Sequence, residues 1–148
     1  MDYKCPDCGA THSNDTTCQA FFDSFLVLEY TLEDYGIVHP FTVGCYFIQH
    51  GLYSQEALIW IEHILSDSIK FGSPSRYMLQ NMRKAAGRPD RTWKITRNAN
   101  APGQPKITWS MTIADVATSY HDAASYCDLV RMWAHTTYNE MKPLLPPL

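Results

Sequence analysis

Residues 5–18 read CPDCGATHSNDTTC and gather three cysteines ahead of the first long apolar segment. Two residues separate Cys5 from Cys8, and Gly9 follows, a spacing at which a tight turn points both sulfurs to the same side. Cys18 adds a third sulfur. Three thiolates favour a tetrahedral metal site, with zinc preferred to iron. A thioredoxin-like redox pair would need a strand before Cys5, and we predict none there.

The apolar pattern after this knuckle indicates where a fourth ligand would lie. CQAFFDSFLVLEY (18–30) and HPFTVGCYFIQHG (39–51) predict two helices of similar length joined by a short turn. Helices joined in this way run antiparallel, so the end of the second returns to the level of Cys18. That end carries His50, which we predict as the fourth ligand. His39, at the opposite end, is the alternative.

Two further histidines and an open coordination position complete the possibilities. His12 lies in the polar turn THSND, which is poorly suited to fixing a ligand, and His63 lies on a face of the third predicted helix that we expect to be partly exposed. Three cysteines and one histidine would make a closed site, which is typical of structural zinc. An open site would instead suit a metal-dependent hydrolase.

The rest of the chain predicts a mainly helical protein. SQEALIWIEHILSDSIKF (54–71) has a helical apolar face, and a shorter helix is expected from 73 to about 86. TWKITR (92–97) and KITWSM (106–111) alternate like strands around a turn-rich linker. The sequence therefore predicts a single domain, mainly α with four to six helices, one β-hairpin and an N-terminal zinc knuckle. Its parts are the knuckle 1–18, a helical region 19–86, a β-hairpin 92–111 and C-terminal helices 112–141.

The charge is distributed unevenly along the chain. Residues 1–67 hold ten acidic residues and one lysine, whereas residues 68–148 hold eleven basic and five acidic residues. The two halves can pack on each other, associate head to tail in a homodimer, or form a local anion site. There is neither a secretory signal nor an apolar run of membrane length, so we expect a cytoplasmic location, where clustered thiols favour metal over disulfide.

A basic segment, residues 83–97, is the candidate surface for nucleic acid or a small anion. Its candidate contact residues are Arg88, Arg91, Lys94 and Arg97, and Trp93 lies among them. Basic side chains interleaved with aromatic ones are the components of a nucleic-acid surface. The pI near 6.0 argues against strong duplex binding, and a solvated loop that balances the acidic half is the alternative.

Three side chains are candidates for acid–base chemistry. His39 and Tyr46 share a helical face with His50, close to the predicted metal. The structural interpretation is that His39 caps its helix while Tyr46 and Gln49 brace the site. Asp115 either lines a polar pocket or completes a capping box with Thr112, and the cap is the simpler explanation.

The motifs resemble a family of small bacterial proteins known as a domain of unknown function. The resemblance extends from Cys5 to about Ala134, with Gly51 where proline is expected in many relatives. It implies this fold and metal site but no activity, cofactor chemistry or named partner. We therefore expect a binding or accessory module with a protein or small-ligand partner. The motifs are C-P-x-C-G (5–9), C-Q-x-x-F-D (18–23), V-H-x-x-T-V-x-x-Y-x-x-Q-H (38–50) and W-S-M-T-I-A-D-V (109–116).

Overall fold

A computed structural model describes residues 2–13, 15–71, 80, 83, 84 and 94–146. It confirms a mainly helical fold with one β-hairpin and the cysteine cluster near the N-terminus. None of the helices in these residues is long and apolar enough to cross a bilayer. The predicted helix from 73 to about 86 lies largely outside the described residues. The elements are β1 (Tyr3–Lys4), β2 (Thr11–His12), α1 (Cys18–Thr31), α2 (Glu33–Gly36), α3 (His39–Gln49), α4 (Gln55–Phe71), α5 (Ile113–Ser119), α6 (Ala123–Glu140) and a 3₁₀ turn (Lys142–Leu144).

Helices α1 and α3 form an antiparallel pair that positions the candidate site. Helix α1 starts where the Thr17 hydroxyl accepts a hydrogen bond from the Ala20 backbone N–H. At one end of the pair, Phe22 stacks on Tyr46 with ring centroids 4.0 Å apart. At the other end, Glu29 of α1 contacts His39 at the start of α3. The beginning of α1 therefore lies beside the end of α3, as the spacing of the two segments predicts.

The helical core is built around α6. This helix packs against α2, α3, α4 and α5. Its buried face contributes Tyr126, Val130 and Trp133, which meet side chains such as Phe25 and Leu58. Large apolar side chains removed from water in this way supply most of the stabilisation of a domain of this size.

The hairpin is present, but its predicted position is wrong. The two paired strands are β1 and β2, which bring Tyr3 opposite His12 and Lys4 opposite Thr11. A short strand therefore does precede Cys5, contrary to expectation. It leads into a turn and an antiparallel partner, not into the helix that follows a redox cysteine pair.

The segment expected to form the hairpin, 92–111, is described from residue 94 onward and contains no paired strands in that part. Its backbone instead joins the loop after α3. Ser54 N–H donates to the Ile95 carbonyl and Arg97 N–H to the Leu52 carbonyl, both at 2.8 Å. These bonds flank an isolated bridge between Tyr53 and Thr96. Residues 106–111 form no strand.

Candidate metal centre

The knuckle turn places Cys5 and Cys8 through its backbone. Cys5 N–H donates to the Ala10 carbonyl at 2.8 Å, and Gly9 N–H donates to the Cys5 carbonyl at 3.0 Å. Gly9 has φ +82°, a left-handed conformation that glycine adopts without strain. The Ala10 N–H then lies 3.4 Å from the Cys8 sulfur. The turn thus aims both sulfurs at one point and supplies an N–H to one of them.

Four side chains from three separate segments converge on that point. The ligand atoms of Cys5, Cys8, Cys18 and His50 all lie within 4.8 Å of one another. The sulfurs of Cys8 and Cys18 are 3.6 Å apart. These are the four residues that the sequence predicts. The cluster can hold a metal ion, because sulfur and imidazole ligands at such separations can surround one tetrahedral ion.

The orientation of His50 fits that role. Its Nδ1 lies 2.8 Å from the Tyr46 carbonyl, to which it donates a proton. Nε2 is therefore the ring's lone-pair atom, and it is buried with no hydrogen-bond partner among the described residues. A buried polar atom without a partner is costly. Coordination of a cation by Nε2 would remove that cost, and the bond from Nδ1 to a carbonyl is the usual support for a ligating histidine.

The electrostatics of the sulfurs point the same way. The contact with Cys18 lowers the pKa of the Cys8 thiol to about 4, against an opposing effect of burial. The same contact, followed by burial, raises the pKa of Cys18. The close contact of the two sulfurs therefore favours the loss of one thiol proton. A metal cation in this position would take the place of that proton.

His12 supports the cluster from the side, a role that sequence reasoning missed. Its Nε2 lies 2.9 Å from the Cys18 sulfur, and the side chain is buried between Tyr3 and Phe21. Nδ1 is 3.3 Å from the Thr16 hydroxyl. The segment THSND looks too polar to fix a side chain. The alternation of outward Thr11 and inward His12 in a two-residue strand is the only signal, and it is too short to recognise.

Tyr46 and Gln49 lie next to the cluster without joining it. The Tyr46 ring stacks on His50 at 4.2 Å, and its hydroxyl donates to Gln19 Oε1 at 3.2 Å. Burial raises the pKa of Tyr46 to about 12, so the phenol keeps its proton at neutral pH. Gln49 donates to the Met111 carbonyl at 2.9 Å and to the Thr137 hydroxyl at 3.0 Å. The first residue orients His50, and the second ties α3 to its neighbours.

The remaining candidate residues lie elsewhere. His39 is at the opposite end of α3 and is not part of the four-residue group. Asp115 accepts from the Thr112 N–H at 2.8 Å in a capping box. Lys94 is exposed, and Arg97 uses its guanidinium to hold the carbonyls of residues 101 and 102. Arg88 and Arg91 lie outside the described residues.

A cavity borders the knuckle on the side of the 104–109 loop. Its volume is about 270 Å³, and it carries charge of both signs from Asp7, Arg97 and Lys106. A neighbouring cavity of about 370 Å³ reaches Lys4 and the partly buried Cys5. The candidate metal centre therefore lies beside space that a small polar ligand can enter.

Comparison with known proteins places these features in a family. A family model described as a family of unknown function, DUF5946, matches residues 3–142. The chain belongs to that family. The match contains the knuckle, both helices of the antiparallel pair and all four clustered side chains. Comparisons with curated proteins and with solved structures give no match.

Proposed function

We propose that this DUF5946 protein is a zinc-stabilised binding or accessory module of the cytoplasm, in which the metal has an architectural role. The observation that carries the proposal is the convergence of Cys5, Cys8, Cys18 and His50 within 4.8 Å. Three thiolates and an imidazole fill a tetrahedral shell, which leaves no position for water or substrate. All five cysteines are unpaired, which suits a reducing compartment.

The metal would join three parts of the chain. Cys5 and Cys8 belong to the hairpin turn, Cys18 begins α1, and His50 follows α3. The two hairpin strands are only two residues long, too short to be stable without further support. Zinc binding to such a site contributes folding free energy directly.

The test is metal content and thermal stability of untagged wild-type protein and of His50→Ala. We expect one zinc per chain in the wild type. The variant should lose or weaken the metal and melt about 10 °C lower, because each kcal/mol is worth roughly 2–4 °C at this size. His63→Ala, an exposed position on α4, is the matched control and should keep both. Wild-type protein without metal would contradict the proposal.

An open, hydrolytic zinc site is the second candidate, because Cys5 is partly exposed at a cavity wall. It requires three protein ligands and a water. Full retention of one zinc in His50→Ala, with unchanged affinity, would favour this candidate and contradict the closed site.

A nucleic-acid accessory role through residues 83–97 is the third candidate. Among the described basic members of this segment, Arg83, Lys84 and Lys94 are exposed, whereas Arg97 holds its own loop. Binding that falls steeply with salt and is lost in Arg91→Ala/Lys94→Ala would support it. No binding of single-stranded DNA at low salt would exclude it.

A further inference from the structure

A second polar cluster lies at the other end of the α1–α3 pair, around the buried carboxylate of Glu29. Its Oε1 is 2.6 Å from His39 Nδ1. Its Oε2 accepts from the Thr42 hydroxyl at 2.6 Å and from the Tyr126 hydroxyl. The carboxylate is thus fully hydrogen-bonded and fixed in place.

Glu29 determines how the His39 ring presents its nitrogens. Because Nδ1 carries the proton that binds the carboxylate, Nε2 holds the lone pair. Nε2 lies 3.4 Å from the hydroxyl of Tyr30, and the two rings are 5.0 Å apart between centroids. The His39 side chain is 30% exposed and Tyr30 is 76% exposed. The Tyr30 hydroxyl, the His39 imidazole and the Glu29 carboxylate are therefore linked by successive hydrogen bonds from the surface to the core.

This order of groups is the one that activates a nucleophile. A hydroxyl becomes reactive when a base lies within hydrogen-bond reach and a third group orients that base. The distance of 3.4 Å is at the long end of that reach, as is common for sites without a ligand. Tyr126, whose pKa is raised by burial and then by Glu29, keeps its proton and stays a donor to the carboxylate.

We propose that Tyr30 is a nucleophile that accepts an acyl group from small, neutral, activated acyl donors, with His39 as general base and Glu29 as positioning residue. The phenol oxygen attacks the carbonyl carbon and forms a C–O bond. The bond from that carbon to the leaving group breaks. The phenol proton passes to His39 Nε2 and then to the departing group, which leaves an aryl ester on Tyr30.

The surroundings select the class of donor. The chain from 15 to 67 contains neither lysine nor arginine, and Glu33 and Asp34 follow in α2. An anionic donor such as a phosphoanhydride would be repelled by these carboxylates. The cation that α6 places beside α2, Arg131, lies 3.5 Å from the Asp128 carboxylate. Val27, one turn before Tyr30 on α1 and 64% exposed, offers an apolar surface to an acyl substituent.

The site is separate from the metal centre. His39 and His50 lie at opposite ends of α3, roughly 16 Å apart at 1.5 Å per residue. Failure of the zinc proposal would therefore leave this one standing, and the reverse also holds.

The test is acetylation of the intact protein by N-acetylimidazole, followed by peptide mass mapping over time. Tyr3, which is 41% exposed and has its hydroxyl on the Thr16 carbonyl, is the internal reference. We expect Tyr30 to react at least about tenfold faster than Tyr3, since a positioned base contributes upwards of 10²-fold in favourable cases. Equal rates after allowance for exposure would overturn the proposal.

Variants separate activation from exposure. His39→Gln should reduce the Tyr30 rate to that of Tyr3 after the same allowance for exposure, whereas His121→Gln, at an exposed site before α6, should not change it. Glu29→Gln should slow Tyr30 and shift the ¹⁵N resonances of the His39 ring away from the Nδ1–H tautomer. If Glu29→Gln does not fold, His39→Gln still decides, because an undiminished Tyr30 rate in that variant contradicts the proposal.

Discussion

Single residues in the α1–α2 region show how tightly the backbone is packed there. A side-chain carbon added at Gly36 would lie 2.6 Å from the Glu29 carbonyl oxygen, a backbone atom of α1. Such a contact cannot be relieved by turning a flexible side chain. At Gly103 the same addition would meet no atom within 4 Å. The two glycines therefore differ in what replacement would require of the structure.

We predict that Gly36→Ala destabilises the protein by about 1–3 kcal/mol, because α2 must move away from α1 to make room. Gly103→Ala is the matched control and should change the free energy of unfolding by less than about 0.5 kcal/mol. Urea denaturation followed by circular dichroism measures both. Similar stabilities of the two variants would show that α2 is not held against α1 as described.

Buried polar residues are the part of the site that the sequence reveals least. Glu29 occupies the same helical face as Phe22 and Phe25. Periodicity therefore places it in the core, where a charged residue is not expected. Its partners Thr42 and Tyr126 are 13 and 97 residues away. No local sequence pattern predicts contacts between residues so far apart in the chain, whereas the cysteine spacing of the knuckle is local and predicts the metal cluster.

At the scale of elements, helices were easier to locate than strands. Apolar spacing and end signals such as Pro40 at the start of α3 act within one turn, so α1, α3 and α4 could be predicted. Strand-like alternation at 92–111 does not predict which segment its backbone will pair with. Residues 95 and 97 instead form backbone hydrogen bonds with the loop at 52–54. The sequence of 92–111 alone does not predict this pairing.

The break between α5 and α6 also depends on a local cap. The Asp122 carboxylate accepts from the Ser125 N–H at 2.8 Å, and the Asp122 N–H donates to the Ser125 hydroxyl at 3.1 Å. Ser119 and Asp122 also have the spacing of a capping box, which would predict an earlier start for this helix, but the structure makes Asp122 the N-cap. The helix starts three residues later than that box would place it, because Asp122 is the cap and not the third helical residue.

We predict that Asp122→Ala destabilises the protein in a pH-dependent way. The backbone bond to Ser125, followed by its hydroxyl, lowers the pKa of Asp122 below its usual 3.8. A carboxylate with a lowered folded pKa stabilises above pH 3.8 and loses that effect as the pH falls through the folded value. The stability gap between wild type and variant should therefore shrink on acidification below pH 3.8.

Asp122→Ser is the matched control, because serine caps helices without a titrating charge. Its stability relative to Asp122→Ala should stay constant over the same pH range. Melting temperatures from pH 7 to pH 3 would measure both differences. A gap for Asp122→Ala that widened towards low pH would contradict the assignment of the cap.

The whole molecule combines a large helical core with a small hairpin that has little core of its own. Trp133, Tyr126 and Leu65 are almost fully buried among the helices. The hairpin contributes Cys8, Ala10 and His12. The hairpin is therefore held to the core mainly by the four-residue cluster, whereas the helices are held together by their buried apolar side chains.

We predict that metal removal loosens the hairpin and leaves the helical core folded. After treatment with a chelator and a reductant, backbone amides of residues 3–12 and the first turn of α1 should exchange with deuterium at least about tenfold faster. Amides of α6 should change little, since their protection follows the stability of the core. Hydrogen exchange with mass spectrometry resolves the two regions, and a uniform increase along the chain would contradict this division.

The spacing of the four clustered residues along the chain also imposes an order on folding kinetics. Only two residues separate Cys5 from Cys8, so both can bind one ion in the unfolded chain by closing a short loop. Cys18 closes a second small loop, but His50 is brought close only after α1 and α3 have paired. The bond from His50 to the metal would thus form last, and its formation would show that α1 and α3 have paired. Cobalt substitution followed by stopped-flow absorbance would separate an early sulfur-bound species from the final tetrahedral one.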